Sequence, residues 1–215
     1  MQKAKILETE NLNNEVKRIR VEKPKGFIYH PGQSIEISHD SPDWQEKKRP
    51  FSFISIPSND YLEFAIKAHT DIGFSKFVHS LKKGDEIIFV DEPYGRYKFI
   101  GEGVFIAGGV GITPLISIVR SLKKAELSNS KCIYSASSKN EFLFLKELKE
   151  KFGKNLITNI TNKKPEKRID KKFLEKNLEK DDFSKMFYVC GPAIFRKQVR
   201  SMLEELGADK DKIQG

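Results

Sequence analysis

The chain has 215 residues and a formal net charge of +9, with 38% hydrophobic and 32% charged residues. This composition suits one large or two small folded domains and excludes a disordered chain. No apolar run reaches the ~18 residues of a membrane helix, no signal peptide is recognisable, and two cysteines cannot build a four-thiolate metal centre. We therefore expect no metal site, no membrane span and a location in the reducing cytoplasm.

Residues 1–99 have the pattern of short strands separated by turns. Polar and apolar residues partly alternate in these runs, as they do in half-buried strands. The predicted elements are strands at 34–38, 53–56, 62–67 and 85–90 and a short helix at 75–81. Short strands at this spacing predict a small antiparallel β-barrel.

Residues 100–215 instead alternate apolar strands with helical patterns. The predicted strands are 104–107, 131–135, 156–160 and 187–190, and the predicted helices are 115–124, 141–152 and 193–206. This alternation predicts an open parallel α/β sheet.

Most of the positive charge lies in the second half. Residues 1–100 hold 16 basic and 15 acidic residues, whereas residues 101–215 hold 23 basic and 15 acidic, a net charge of +8. A basic half suits a phosphorylated cofactor or an acidic protein partner, and a lysine-rich solvated surface is the simpler alternative. Because acids interrupt the basic residues, we expect no nucleic-acid partner.

A glycine-rich turn follows the first strand of the α/β half. Gly108, Gly109 and Gly111 permit close backbone approach to a phosphate, and Thr113 is predicted to cap the helix that follows. The helix N-terminus would then face an anion, although a tight turn without a ligand has the same pattern. After the second strand come Ser137 and Lys139, with no acid at the strand end. These residues suit the 2′-phosphate of NADPH, or they simply begin a loop.

Cys190, Gly191 and Pro192 end the last long strand, where ligands bind in open α/β sheets. The glycine leaves room for a flat ring such as nicotinamide. A nucleophilic cysteine would need a neighbouring base, and residues 100–215 contain no histidine. A buried, inert cysteine is the remaining alternative.

The first half carries two further candidate sites. Arg49 offers a planar fork to a phosphate, Phe51 lies on the same face of an extended chain, and Ser52 is a small donor beside it. Phe51 could stack on a flat heterocycle or belong to the core. Gly73, Phe74 and Ser75 open the short helix and form a second candidate anion site.

Taken together and in order, these motifs resemble the ferredoxin–NADP reductase-like superfamily over nearly the whole chain. The motifs are 31–33, 49–52, 73–75, 92–95, 108–114 and 190–192. The resemblance implies a flavin-binding β-barrel domain at 1–99 and an NAD(P)-binding α/β domain at 100–215. Its cofactors would be FAD, or alternatively FMN, with NAD(P)H as substrate. FAD is favoured because residues 73–75 offer a place for a second phosphate.

The resemblance also implies roles for individual residues. The residues implied to bind flavin are Arg49, Pro50, Phe51, Ser52, Ile66, Lys67, Gly73, Phe74 and Ser75. Those implied to bind the nicotinamide nucleotide are Gly108, Gly109, Gly111, Thr113, Ser137, Lys139, Cys190, Gly191 and Pro192. Ser52, near flavin N5, and Cys190, beside the nicotinamide ring, are the two implied catalytic positions. No aromatic follows Phe195 to cover the flavin, so that cover is expected to be absent or supplied by a partner.

The activity expected from this resemblance is hydride transfer from NAD(P)H, docked between the domains, to the flavin. The reduced flavin would then release single electrons to a separate carrier, such as a small acidic ferredoxin-like protein. Three alternatives remain: a flavin or ferric reductase, an electron-transfer subunit of a larger complex, and a nucleotide-sensing module without redox chemistry.

Overall fold

The computed structural model describes residues 2–68, 73–162 and 168–215. The chain forms two compact units, Met1–Lys98 and Phe99–Gly215, each with its own sheet. Within the described residues, no helix has both the length and the apolar character needed to cross a membrane.

The first unit is a nearly closed antiparallel barrel, as predicted. Its six-stranded sheet has the order β4-β3-β6-β1-β2-β5, and a bridge between Phe53 and Phe64 joins the two ends. The elements are β1 (Gln2–Asn11), β2 (Val16–Glu22), β3 (Ser34–Ser38), β4 (Arg49–Ser52), β5 (Tyr61–Lys67), α1 (Phe74–Ser80) and β6 (Glu86–Phe89).

Aromatic side chains fill the centre of this barrel. The Phe53 ring lies 4.2 Å from that of Tyr29 and 5.2 Å from that of Phe64, measured between ring centroids. Alternate residues of the strands, such as Ile19 and Val21 on β2, point into the same core. Removal of this apolar surface from water is the main term that stabilises the barrel.

The second unit is a parallel α/β sheet, again as predicted, with strand order β11-β10-β7-β8-β9. Every residue of its central strand β7 is buried, because helices cover both faces of a parallel sheet. The elements are β7 (Gly103–Gly108), α2 (Ile112–Ser121), β8 (Lys131–Ala136), α3 (Leu145–Phe152), β9 (Leu156–Ile160), α4 (Lys171–Asn177), β10 (Met186–Cys190), α5 (Ala193–Glu205) and β11 (Ile213–Gln214).

Three predicted elements are displaced. The strand predicted at 53–56 lies instead at β4, where Arg49 and Ser52 pair with Ile37 and Ser34 of β3. Pro50 is tolerated there because β4 is an end strand of the sheet. Helix α2 begins and ends three residues before its predicted limits. Helix α3 begins four residues late because Phe144 has a left-handed backbone with φ of 55°.

A buried carboxylate joins the start of β8 to the 3₁₀ turn Lys180–Ser184. Asp182 is 1% exposed and lies 2.7 Å from Nζ of Lys131 and 2.9 Å from Nζ of Lys185. It also accepts the backbone N–H of Glu179. Burial alone would raise the pKa of Asp182, but these three donors outweigh it, so the pKa is lowered from its ordinary 3.8.

We expect Asp182→Ala to lower the free energy of unfolding of the second unit by about 2–4 kcal/mol, because it removes the nearest carboxylate from the partly buried Lys131. Asp181→Ala, which removes an exposed carboxylate of the same turn, should cost less than about 0.5 kcal/mol. Urea unfolding followed by circular dichroism measures both. Since the folded pKa lies below 3.8, the difference should be complete above pH 3.8 and disappear as the pH falls further. Equal losses in the two variants would contradict this account.

Candidate functional site

Strand β4 presents Arg49 at the surface of the first unit. Arg49 and Phe51 pair with Ile37 and Ile35, so the two side chains lie on the same face of the strand. The guanidinium group is exposed, and its Nη1 donates to the Lys48 carbonyl at 2.9 Å. Between described residues, this hydrogen bond uses one of the five N–H donors of the guanidinium group, so the group retains the bidentate fork that binds phosphate.

Aromatic packing brings this strand against helix α1. The ring of Phe51 is stacked on that of Phe74, with 6.3 Å between centroids. Two predicted flavin-binding segments, 49–52 and 73–75, therefore lie together. Trp44, which the sequence interpretation missed, packs from the β3–β4 loop onto Phe74 and Phe77 at 5.7 and 5.4 Å. The only signal for Trp44 was its being the single tryptophan of the chain.

Ser52 has a hydroxyl partner on the neighbouring strand β3. Its Oγ lies 2.9 Å from Oγ of Ser34, and either hydroxyl can be the donor. When Ser34 donates, the Ser52 O–H is free to donate to a ligand atom. Ser52 is half-buried, which suits a donor at the edge of a flat ring.

Ile66 and Lys67, which were predicted to bind flavin, both make contacts within the first unit. Ile66 is buried, and its carbonyl lies 2.7 Å from Nε2 of His79. Burial lowers the pKa of His79, which favours the neutral ring with Nε2–H as donor to that carbonyl. Nζ of Lys67 lies 2.7 Å from a carboxylate oxygen of Glu15. A role in flavin binding for these two residues stays a prediction about their backbone.

In the second unit, the glycine turn leads directly from β7 into α2. Gly109 has φ of 56°, and a β-carbon built there would meet nothing within 4 Å, so the space above it is open. The predicted cap by Thr113 is wrong: Thr113 is buried inside α2, and Gly111 is the N-cap, with no side-chain hydrogen bond. The first N–H groups of α2 are thus uncapped by a side chain, and its first turn holds no acid.

The glycine turn and the cysteine turn touch at the carboxyl ends of their strands. Cys190 pairs with Ala107, which sets the two turns side by side. A β-carbon built on Gly111 would lie 2.5 Å from Cα of Gly191 and 2.8 Å from the carbonyl carbon of Cys190. Gly111 is therefore required for backbone packing between the turns.

The two cysteines have different surroundings. Neither forms a disulfide; Cys132 is buried in β8, and burial raises its pKa to about 12. Cys190 ends β10 and is partly exposed at the edge where both turns meet. Only Cys190 is therefore placed where a ligand could reach it.

A carboxylate lies beside the predicted phosphate-binding residues at the end of β8. The Ser137 hydroxyl donates to Glu141, whose two carboxylate oxygens are both 2.7 Å away. Lys139 is exposed in the 3₁₀ turn Lys139–Glu141 that folds this acid back. The sequence interpretation found no acid at the strand end and so missed this contact, for which the only available signal was the four-residue spacing.

The residues present fit both implied cofactors. Exposed Arg49 beside the stacked Phe51 suits a flavin phosphate and ring, and the open turn at Gly109 before an uncapped helix suits a nucleotide phosphate. Among residues 2–68, 73–162 and 168–215, no group of three or more His, Cys, Asp or Glu side chains could hold a metal ion.

Comparison with known proteins gives the same division. The FAD-binding domain family matches residues 1–98, and the oxidoreductase NAD-binding domain family matches residues 105–201. The flavohemoprotein of Schizosaccharomyces pombe is 29% identical over 98% of this chain and 55% of its own length. The naphthalene 1,2-dioxygenase system ferredoxin–NAD(P)+ reductase component of Pseudomonas putida is 28% identical over 61% of this chain and 40% of its own.

A solved ferredoxin NADP+ reductase from Neisseria gonorrhoeae with bound FAD and NADP has the same fold. It superimposes with a TM-score of 0.81 and 21% identity, covering 96% of this chain and 91% of that one. The chain spans about half the length of the curated relatives it matches. Since the two domain families leave only residues 99–104 and 202–215 unmatched, the chain belongs to the ferredoxin–NADP reductase-like superfamily.

Proposed function

We propose that this chain is an FAD-dependent reductase that takes a hydride from NADH and passes electrons to a separate one-electron carrier. The observation that supports this most is the contact between the Gly109–Gly111 turn and the turn at Cys190 and Gly191. It places an open, uncapped helix N-terminus and a partly exposed thiol at one sheet edge, in a chain whose other unit carries the Arg49 strand.

In the first unit, Arg49 is proposed to bind a flavin phosphate with its guanidinium fork. Phe51 would contact the ring system, and Ser52 would donate its O–H near N5. Pro50 keeps β4 extended, while residues 73–75 and the backbone of Ile66 and Lys67 complete the proposed flavin-binding set. The packing of Phe51 on Phe74 supports this assignment, because it holds the two segments in one place.

In the second unit, the uncapped start of α2 is proposed to bind the nucleotide phosphates. Gly108 and Gly109 let the ligand approach the backbone, and Thr113 lies within the helix turn behind them. Gly191 and Pro192 would leave a flat space for nicotinamide, with Cys190 beside the ring. Ser137 and Lys139 would lie toward the adenosine end.

When bound, FAD supplies a ring that accepts a hydride and can give up electrons one at a time. The protein residues need only orient the two rings and exclude water, because a hydride carries its own electron pair. Ser52 can hold a proton at its O–H near the reacting atom, and Cys190 positions the nicotinamide without forming a covalent bond.

Charge supports a protein acceptor. Residues 101–215 carry a net charge of +8, which attracts an acidic carrier over a longer range than any single ion pair. The second candidate is a reductase of flavin or ferric chelates, which needs no protein carrier. The protein carrier is favoured if the protein reduces an acidic ferredoxin faster than a ferric chelate, and if the rate with ferredoxin falls when salt is added.

The coenzyme is proposed to be NADH, against the NADPH suggested by the sequence pattern. The hydroxyl of Ser137, which would otherwise face a 2′-phosphate, already donates to Glu141 at 2.7 Å. A carboxylate repels a phosphate placed beside it and accepts a hydrogen bond from a ribose 2′-hydroxyl.

The first test is reconstitution. We expect the purified protein to bind FAD with a yellow spectrum, and anaerobic NADH to bleach that spectrum. FAD binding should also quench the fluorescence of Trp44, which packs on Phe74. A preparation that stays colourless with added FAD or FMN would overturn the proposed function.

We expect Arg49→Gln to weaken FAD binding by about 10- to 100-fold, the cost of losing a hydrogen-bonded charge on a phosphate. Lys83→Gln removes an exposed positive charge from the same unit and should leave the dissociation constant within about twofold. Titration of the apoprotein with FAD, followed by Trp44 fluorescence, measures both. If the two variants weaken binding equally, Arg49 does not bind the flavin phosphate.

Glu141→Gln removes the negative charge and keeps a hydrogen-bond acceptor for Ser137. We expect the ratio of kcat/KM for NADPH to that for NADH to rise by about tenfold, equivalent to ~1.4 kcal/mol. Glu150→Gln, an exposed acid on α3, should leave the ratio unchanged. Steady-state kinetics with both coenzymes provide the measurement, and an unchanged ratio in Glu141→Gln would refute the assignment.

A further inference from the structure

We infer that Phe195 is a positioning residue, whose ring sets the separation of the two glycine turns and thereby the affinity for the pyridine nucleotide. This inference rests on the proposed function of those turns. Phe195 lies in the first turn of α5 and is partly buried against the core of the second unit, which includes Val189 and Val199.

The ring lies directly against the backbone of both turns. A β-carbon built on Gly191 would be 2.7 Å from Cδ1 of Phe195, and one built on Gly108 would be 3.2 Å from Cδ1 and Cε1. At Gly191 the ring leaves no room for a side chain, and at Gly108 a β-carbon would require the ring to shift by a few tenths of an ångström. The two glycines are thus needed for contact with Phe195 as well as for access to a ligand.

Gly191 is held from two directions. The Phe195 ring packs on it from one direction, and Gly111 approaches it from another, with 2.5 Å between the β-carbon position of Gly111 and Cα of Gly191. The ring, Gly191 and Gly111 therefore form one continuous packed row from the helical core to the start of α2. Protein interiors do not deform freely, so a shorter side chain at 195 leaves a cavity or lets the cysteine turn move.

Movement of this turn would change ligand binding in a defined way. Cys190, Gly191 and Pro192 would shift relative to Gly109, and the space proposed for the nucleotide would change its width. No residue of the flavin-binding set lies in this row. Loss of the ring should therefore affect the nucleotide and leave FAD binding intact.

The test compares Phe195→Leu and Phe195→Ala with Phe195→Tyr, which keeps the ring. Anaerobic stopped-flow bleaching of the bound flavin by NADH gives two quantities, the half-saturating NADH concentration and the limiting rate. We expect the half-saturating NADH concentration to rise at least fivefold in Phe195→Leu and by more in Phe195→Ala. The Tyr variant should stay within twofold of the wild type, and FAD content should be unchanged in all three.

Ile194→Ala is the matched control, because Ile194 precedes Phe195 in the same helical turn and is 72% exposed. It should leave both kinetic quantities unchanged. Thermal unfolding of each variant separates a structural role from a positioning role. If Phe195→Leu lowers the Tm but leaves the half-saturating NADH concentration unchanged, Phe195 is a purely structural residue and the inference is overturned. Should the Ala variant not fold, the comparison of Leu with Tyr decides. Wild-type protein that holds FAD but is not bleached by NADH would instead refute the proposed function, before any variant is made.

Discussion

The contact between Gly111 and Gly191 is the constraint on which the second unit depends. It arises from the sheet itself, because β7 and β10 are parallel neighbours and pair Ala107 with Cys190 at their ends. Both strands end at the same level, so the backbones of the two turns that follow come into contact unless side chains keep them apart. The 2.5 Å separation from the Gly111 β-carbon position to Cα of Gly191 leaves no room for even a methyl group. Glycine is thus required by packing within the protein, and Gly109, with open space above it, remains accessible to a ligand.

The barrel unit positions its candidate site in another way. Strand β4 is an end strand of the sheet, so only one edge of its backbone is held by a neighbouring strand in the sheet order. Aromatic packing also holds this part of the unit in place, since Phe51 stacks on Phe74, and Trp44 packs on Phe74 and Phe77. These contacts fix the strand while leaving Arg49 exposed beside them. Backbone contact therefore shapes one candidate site, and aromatic packing shapes the other.

Hydrophobic pattern was sufficient for the class of both units and for strands such as β3 and β9, whose predicted limits are those observed. In β3 the pattern matches burial, because Ile35 and Ile37 are both buried. It did not predict the start of α3, where Phe144 has a left-handed backbone and its ring centroid lies 4.9 Å from the Arg120 guanidinium. β4 was displaced because its place follows from pairing with β3, which sequence periodicity does not encode.

The residues of the candidate sites also differ in how far the sequence could predict them. Turn chemistry alone identified Gly109 and Cys190, since local residue types determine where a chain can turn and expose its backbone. The contact of Ser137 with Glu141 and the packing of Phe195 on Gly191 required coordinates. Each joins residues four apart in sequence, but nothing in a single sequence distinguishes such a contact from two side chains that point apart. The Thr113 prediction failed for a related reason, because the chain entered the helix earlier than its apolar pattern began.

The basic second half and the acid at the end of β8 act over different distances. A net charge of +8 creates a field felt by a protein partner out to roughly a Debye length, about 8 Å at physiological ionic strength. Glu141 acts only on groups within a few ångströms, where its carboxylate meets the Ser137 hydroxyl at 2.7 Å. A surface can therefore attract an acidic carrier as a whole while one local carboxylate disfavours a phosphate at a single position. For this reason, net charge is informative about the partner but not about the coenzyme, and the choice between NADH and NADPH has to be argued from the geometry at Glu141.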